Sequence, residues 1–480
     1  MSKMRPSRIR RDYTSFNHLW SVIKFLKMLW RKHAVKVNNT SSTSETELFR
    51  TEKIPKILLK IAPPVMLAQL IQAMYNIVDS YFVGKYSESA LTALSVIYPL
   101  QLIIIALAVG TGVGVNTYMA RLYAQKMPQK AEEAAGTGMV LALGTWFIFA
   151  VISAVFMKPY VQTGAKVPEA VDNAIIYGRI VCIGSIGAFL EGNWTKVHQS
   201  RGNMRRPMIA QTVGALTNII LDPILIFGAG PVPGMGVAGA AYATIIGQIA
   251  AAIITAFGAV CRPPVLRKLL THAKQIYWYG YASIMMQALY TVYIVILNAI
   301  LAGFSDSAVT VLGLYYKLQT FFFIPLMGLQ TCIVPLLSFN YTTKSYSRCR
   351  ETMKDTYLFS CVFMLLGVVC FVFFPTNLLG IFSESSEVIA IGKAAFPIIG
   401  ASFIPAVFSL MTPVFFQAIG NGKVSLFLSV MRQILCLVPI FWMLSLIGLK
   451  YVWFAFPISE VIVGVTGMVL YAKNVSTNIQ

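Results

Sequence analysis

Apolar runs of about twenty residues follow one another along most of the chain, and polar positions gather in the short breaks between them. A bilayer-spanning helix needs ~20 apolar residues. Twelve such spans can be placed, at roughly 57–83, 92–122, 133–157, 171–197, 207–228, 236–259, 276–302, 309–340, 352–375, 386–417, 424–446 and 452–472. The pattern predicts an all-α polytopic membrane protein with twelve transmembrane helices.

Charge sorts the connections. Lys126/Lys130, Lys196/Arg201/Arg205/Arg206, Arg262/Arg267/Lys268/Lys274, Lys344/Arg348/Arg350 and Lys423 fall in the even-to-odd loops, whereas Glu88, Glu169, Asp172, Asp306, Glu384 and Glu387 lie on the opposite side. Cations concentrate on the cytoplasmic side of membrane proteins. Both termini are therefore expected in the cytoplasm of a multi-pass protein of the inner (plasma) membrane, which agrees with an even span count.

The chain repeats itself at an offset of 218. Ala-Leu-Thr-Ala-Leu-Ser-Val-Ile-Tyr-Pro-Leu-Gln (90–101) aligns with Ala-Val-Thr-Val-Leu-Gly-Leu-Tyr-Tyr-Lys-Leu-Gln (308–319). The same shift pairs Gln69 with Gln287, Tyr75 with Tyr293, Gly110 with Gly328, Tyr123 with Tyr341 and Glu133 with Glu351, and reaches Gln199, Gly202 and Asn203 against Gln417, Gly420 and Asn421. Six spans per half insert both halves in one orientation, so a pseudo-two-fold along the membrane normal is expected to relate two six-helix lobes. Transporters use this plan, with the binding site between halves; channels are also built from repeats. The expected divisions are a basic cytoplasmic tail (1–50), a first lobe (51–262), an inter-lobe cytoplasmic linker (263–275) and a second lobe (276–480).

Composition narrows the function. Of 480 residues 57% are hydrophobic and 12% charged, with 39 Lys and Arg against 18 Asp and Glu. In a soluble chain that excess would suggest nucleic acid; here it marks loop cations, and no nucleic-acid partner is expected. The seven cysteines form no CxxC pair and mostly fall in apolar runs, so no metal site or disulfide framework is implied. Each Gly-Lys pair (84–85, 392–393, 422–423) lacks a glycine five residues earlier, so there is no phosphate-binding loop for ATP-driven transport. The four histidines lie in the tail or near loops, which argues against a transmembrane histidine relay. The tail carries eleven basic residues against three acidic. Its stretch from Phe16 to His33 mixes Leu19, Trp20, Ile23, Leu26 and Trp30 with Lys24, Lys27, Arg31 and Lys32, as in a basic amphipathic helix on an anionic leaflet. A disordered tail is the other reading.

Candidate chemistry lies in the polar residues stranded within spans. Span 5 carries Asn218 and Asp222 one turn apart, followed by Pro223. A carboxylate within hydrocarbon costs ~2.5–3.5 kcal/mol on insertion scales and is by default a functional-site hypothesis. The plain reading is a buried acid satisfied by its neighbours. The repeat argues against that: Asp79, Asn218, Asp222 and Thr244 correspond to Leu297, Cys436, Ile440 and Ile462. Packing residues recur and these polar ones do not. Asp79 and Asp222 are expected in the outer half at similar depth, able to share a proton or, with Asn218 and Thr244, to hold Na⁺, a hard cation that prefers oxygen. Asp79 as a solvated interfacial residue is the alternative. Glu191 and Asn193 in span 4, with Gln69, are candidates for an additional polar site; Glu191 as a partner for Lys196 is the simpler reading. Met74, Tyr75, Gln287, Tyr290, Tyr293 and Lys317 are candidates for a substrate cavity, though Met and aromatic residues within spans more often serve packing. Arg432 and Glu460, on consecutive spans, are expected to form a structural ion pair.

Several of these stretches together resemble the multidrug and toxic compound extrusion (MATE) family of secondary transporters: Val78-Asp-Ser-Tyr-Phe-Val-Gly84, Arg201-Gly-Asn-Met-Arg-Arg-Pro-Met208, Asn218-Ile-Ile-Leu-Asp-Pro-Ile-Leu-Ile-Phe227, Gly234-Met-Gly-Val-Ala-Gly-Ala-Ala-Tyr-Ala-Thr244, Gln417-Ala-Ile-Gly-Asn-Gly422 and Ser429-Val-Met-Arg-Gln433. The resemblance spans about 52–473 and is strongest to the bacterial and archaeal branch with the staphylococcal-type multidrug exporters. It implies two six-helix lobes and export of cationic, lipophilic drug-like compounds by antiport with H⁺ or Na⁺, without a cofactor. The family's first-lobe cation site carries over to Asp79, Asn218, Asp222 and Thr244. The carboxylates that some relatives use in spans 7 and 10 are absent. A monomer is expected. A lipid-linked saccharide flippase of related architecture is the alternative function, and would require several cavity cations where only Lys317 is a clear candidate. A membrane-bound enzyme lacks any recognisable nucleophile–base or metal set.

Overall fold

The computed structural model describes residues 49–164, 168–381 and 385–477. The basic tail and its expected amphipathic helix over 16–33 lie outside the described residues. Within them the secondary structure is helical, with one isolated bridge between Ala229 and Val232. The first half comprises α1 (Ile54–Tyr86), α2 (Glu88–Ala124), α3 (Pro128–Gly164), α4 (Pro168–Gly184), α5 (Ile186–Ser200), α6 (Arg205–Phe227) and α7 (Val237–Ala256). The second half continues with α8 (Leu266–Ala302), α9 (Asp306–Phe322), α10 (Ile324–Thr342), α11 (Tyr346–Phe373), the short α12 (Pro375–Gly380), α13 (Ser386–Gly400) and α14 (Phe403–Ala418). It closes with α15 (Gly422–Val430), a π-helical segment (Met431–Leu437), α16 (Val438–Ser445), α17 (Leu449–Val452) and α18 (Ala455–Thr477).

Ten spans are single stretches, and two more are bent pairs, α4/α5 at 40° and α13/α14 at 54°, which completes twelve. A serine turned back on its own helix marks each bend. Ser185 Oγ donates to the Cys182 carbonyl (2.7 Å) and Ser402 Oγ to that of Ile399 (2.6 Å). Such back-bonding competes with the helical ladder and bends it.

The repeat is reproduced down to single bonds. An offset of 218 carries Glu88, Pro128, Pro168 and Val237, each the first residue of its helix, onto Asp306, Tyr346, Ser386 and Ala455, which also begin helices. Lys126 and Lys344 share a positive φ of 58°, and Gly202 and Gly420 have φ of 86° and 82°. The following asparagines cap the next helix: Asn203 Oδ1 accepts from Arg206 N, and Asn421 Oδ1 from Val424 N. Ser89 donates to Glu169 and Ser307 to Glu387, both at 2.8 Å. The recurring Gly-Asn is therefore a turn device: the glycine takes a conformation costly for other residues, and the asparagine accepts from an orphan N–H.

The helices overrun the apolar spans, which corrects two placements. The expected linker at 263–275 is non-helical only to Val265, because α8 begins at Leu266. Lys196, assigned to a loop, lies within α5 and is buried. The start of α1 (Ile54, Ile57, Leu58, Ile61) belongs to the second half's core, alongside Leu329, Cys332 and Leu336 of α10. The glycines of α2 let α8 approach closely. A Cβ on Gly114 would stand 2.1 Å from the Ile276 carbonyl, and one on Gly110 would stand 2.3 Å from Ile284 Cγ1. Small residues at helix crossings serve membrane proteins in this way.

Candidate functional site

The site begins with a glycine crossing. A Cβ on Gly247 would lie 2.6 Å from the Gly214 carbonyl, and one on Gly214 would lie 2.9 Å from that of Gly247. The α6 and α7 backbones therefore touch. Asn218 is one turn beyond Gly214 on α6 and Thr244 one turn before Gly247 on α7, so the crossing brings their side chains together. Asn218 Nδ2 lies 3.5 Å from Thr244 Oγ1 and 3.3 Å from Asp222 Oδ1. Helix α1 packs on α6 and supplies Asp79, whose carboxyl faces that of Asp222 within hydrogen-bonding reach.

Asp222 is fully buried, with Asn218, Thr244 and Asp79 nearly so. Three of the oxygens, Asp79 Oδ1, Asn218 Oδ1 and Asp222 Oδ2, are buried and accept no hydrogen bond among the described residues. An unsatisfied buried polar group costs ~1–3 kcal/mol, more when charged. Converging acceptors of this kind suit a shared proton or a hard cation. Pro223 follows Asp222 directly; a proline inside a helix removes one backbone bond and loosens the turn before it.

Sequence reasoning missed two members of this network. Tyr177 of α4 lies beside Thr244, and Gln101 Nε2 of α2 donates to the Tyr177 hydroxyl at 3.3 Å. Both read as ordinary residues of apolar spans, and only their position a few turns inside a helix hinted at more. Tyr75, one turn before Asp79, borders both carboxyls. The polar chain therefore runs through Gln101, Tyr177, Thr244, Asn218, Asp222 and Asp79, and draws on α1, α2, α4, α6 and α7.

Comparison with known proteins decides the family. The MatE family model matches twice, over residues 64–224 and 282–443, one match in each half. The chain belongs to the MatE family. It is a membrane-spanning transporter and not an enzyme. Among curated relatives, it is 24% identical over 425 residues to a FAD transporter of Shewanella oneidensis (86% of this chain, 93% of that protein). It is also 24% identical over 442 residues to the multidrug export protein MepA of Staphylococcus aureus strain MRSA252 (89% and 96%). Solved structures share the fold. One described as a multidrug resistance MATE family transporter in its outward-facing conformation has a TM-score of 0.83 at 23% identity (90% of this chain, 98% of that one). Another, a MOP superfamily transporter from Pyrococcus furiosus whose binding pocket is described as of reverse polarity, has a TM-score of 0.83 at 24% identity (91% and 98%).

The remaining candidates scatter in this MatE chain. Glu191 accepts from Thr195 Oγ1 (2.7 Å) and lies beside Lys196, whose Nζ donates to Gln199 (2.9 Å). Asn193 points elsewhere, against Val115 of α2 and Gly138 of α3: a Cβ on Gly138 would meet its Oδ1 at 2.5 Å. Two residues apart, these side chains leave the helix on different sides. Glu191 and Asn193 thus face different neighbours and do not converge on one site. Met74, Gln287 and Lys317 are exposed. Tyr290 and Tyr293 pack edge to face (5.5 Å), and Tyr316 joins both. Arg432 forms a forked ion pair with Glu460: Nε lies 2.9 and 3.0 Å from the two carboxylate oxygens and Nη2 2.6 Å from Oε1. Ser409 donates to the same carboxylate. Sequence reading also left His272 near a loop. It lies on α8, bonded to Tyr118 of α2 (3.1 Å) and paired with Glu133 of α3 (3.3 Å), which also takes Lys268 (2.8 Å). This group ties the two halves together at one end.

Proposed function

We propose that the chain is a cation-coupled antiporter of the plasma membrane, with both termini cytoplasmic, that exports cationic, lipophilic drug-like compounds in exchange for H⁺ or Na⁺. The observation that carries this reading is the buried oxygen cluster of Asp79, Asn218, Asp222 and Thr244, with three unpartnered acceptors. Uptake of a proton or Na⁺ offsets the cost of burying two facing carboxyls. It also changes the contacts that hold α1, α6 and α7 together. Substrate bound between the halves then responds to the ion through this helix group, since a ligand shifts a conformational equilibrium only by its differential affinity for the two states. The similarity to MepA, a multidrug export protein, supports drug-like substrates.

Arg432 is neutralised by Glu460, so Tyr290, the exposed member of the tyrosine group beside it, offers an aromatic face without a net positive charge. A lipid-linked saccharide flippase would need cavity cations to hold pyrophosphate, and exposed Lys317 is the one unpaired candidate named above. Export of a flavin dinucleotide, after the Shewanella relative, is the second reading; stacking tyrosines suit its ring but the acidic pair opposes its phosphates.

The test is efflux of ethidium from vesicles under a pH gradient and a Na⁺ gradient imposed separately, with FAD as a competing cargo. One gradient should drive ethidium out, and Asp222→Asn should abolish that dependence while leaving protein in the membrane. Undiminished efflux in Asp222→Asn, or transport of FAD alone, overturns the reading.

A further inference from the structure

Helices α8 and α15 pack side by side and leave a groove of about 690 Å³ between them, on residues that take no part in the oxygen cluster. Its walls repeat one layout. On α8, Lys274 is followed one turn on by Tyr277 and Trp278 and two turns on by Tyr281. On α15, Lys423 is followed one turn on by Leu426 and Phe427 and two turns on by Val430. Residues three, four and seven apart share a helix face, so each wall runs from a cation past an aromatic ring over ~10 Å, ending at Tyr281 on α8 and at Val430 on α15.

Both lysines are exposed, and neither pairs with a carboxylate among the described residues. Trp278 and Phe427 are 53% and 50% exposed, which puts bare aromatic surface beside the two lysines. Tyr281 packs against the start of α15, beside Lys423: a Cβ on Gly422 would stand 3.0 Å from the Tyr281 hydroxyl.

We propose that this groove binds an anionic phospholipid, with its phosphate between Lys274 and Lys423 and its acyl chains along Trp278, Phe427 and Val430. Trp and Tyr favour the headgroup level of a membrane, and basic pockets between helices on the cytoplasmic side recognise anionic headgroups. A free phosphate compound would leave the apolar upper walls bare. A second copy of the chain would have to bring carboxylates to both lysines, and the sequence is poor in them, 18 acidic residues against 39 basic. The assignment to the inner leaflet rests on the proposed orientation; lipid selectivity does not.

The test uses the purified full chain, stripped of lipid in detergent and followed by native mass spectrometry. Dioleoyl phosphatidylglycerol and dioleoyl phosphatidylcholine are titrated separately, without substrate or ion gradient, so failure here leaves the transport reading untouched. One phosphatidylglycerol should be retained in preference to phosphatidylcholine. The double variant Lys274→Gln/Lys423→Gln should weaken that retention roughly 25-fold, about a factor of five per lysine, with phosphatidylcholine binding and lipid-free melting unchanged. The charge-matched control Lys126→Gln/Lys130→Gln should bind as wild type. Should the double variant melt early, Lys423→Gln alone should still lose about fivefold. Equal binding of both lipids, undiminished retention in the variant, or a lipid-free oligomer that the variant dissociates would each overturn the proposal.

Discussion

Glu460→Gln removes one charge from a pair almost closed to solvent: the Arg432 and Glu460 side chains are 14% and 7% exposed. Three N–O contacts between 2.6 and 3.0 Å, with Ser409 as a further donor, satisfy the carboxylate from several directions. Losing one partner of a buried pair costs ~3–5 kcal/mol, because the survivor is left charged and unpaired. The amide still accepts one bond, which puts the expected loss near ~3 kcal/mol, about two powers of ten in the folded-to-unfolded ratio. Replacing both residues by methionine removes the desolvation problem altogether and should cost far less. The assay is denaturant unfolding of both variants in micelles. Stability of Glu460→Gln equal to or above that of the double methionine variant would show that the unpaired Arg432 carries no such cost. So would loss of efflux in Glu460→Gln with stability unchanged, which would put the pair in substrate handling.

Other expectations follow from the same geometry. Gly114→Val places side-chain atoms against the Ile276 backbone and should sharply reduce folded protein in the membrane, while Gly144→Val, with nothing within 4 Å, should express normally; fluorescence-detected gel filtration compares them. Asn218→Ala removes the donor shared by Asp222 and Thr244 and should shift half-maximal ion concentration for efflux ~10-fold or more without abolishing transport. Gly420→Ala forces a side chain to φ 82° and toward Tyr279, and should lower the melting temperature more than Gly144→Ala does.

Span number and the repeat are legible in the sequence because lipid imposes a long apolar run on each helix, and turns demand particular residues. The offset of 218 recurs in helix starts, positive-φ positions and the Ser89–Glu169 and Ser307–Glu387 bonds. Asp79, Asn218, Asp222 and Thr244 stood out because polar residues are costly in apolar runs, and the fold gathers all four. Tyr177 and Gln101 are hidden because a tyrosine or glutamine in a span has many uses, and only the packing of α4 and α2 sets Tyr177 beside Thr244 and Gln101 on Tyr177. Lys196 was misplaced because a lysine near basic residues looks like a loop, whereas helix α5 extends to Ser200 and buries it. The inter-half group of Glu133, Lys268 and His272 depends on partners more than a hundred residues apart. No local pattern announces such a contact.

In the proposed antiport, ion and substrate compete through the Asp79–Asp222 cluster, and linkage makes this reciprocal. Ethidium binding to the purified protein, read by fluorescence anisotropy as pH is lowered or Na⁺ raised, tests it most directly. Wild type should lose affinity with one of the two ions and Asp222→Asn should bind the dye equally well throughout. An affinity that ignores both ions in wild type, or an ion dependence that survives in Asp222→Asn, would contradict it.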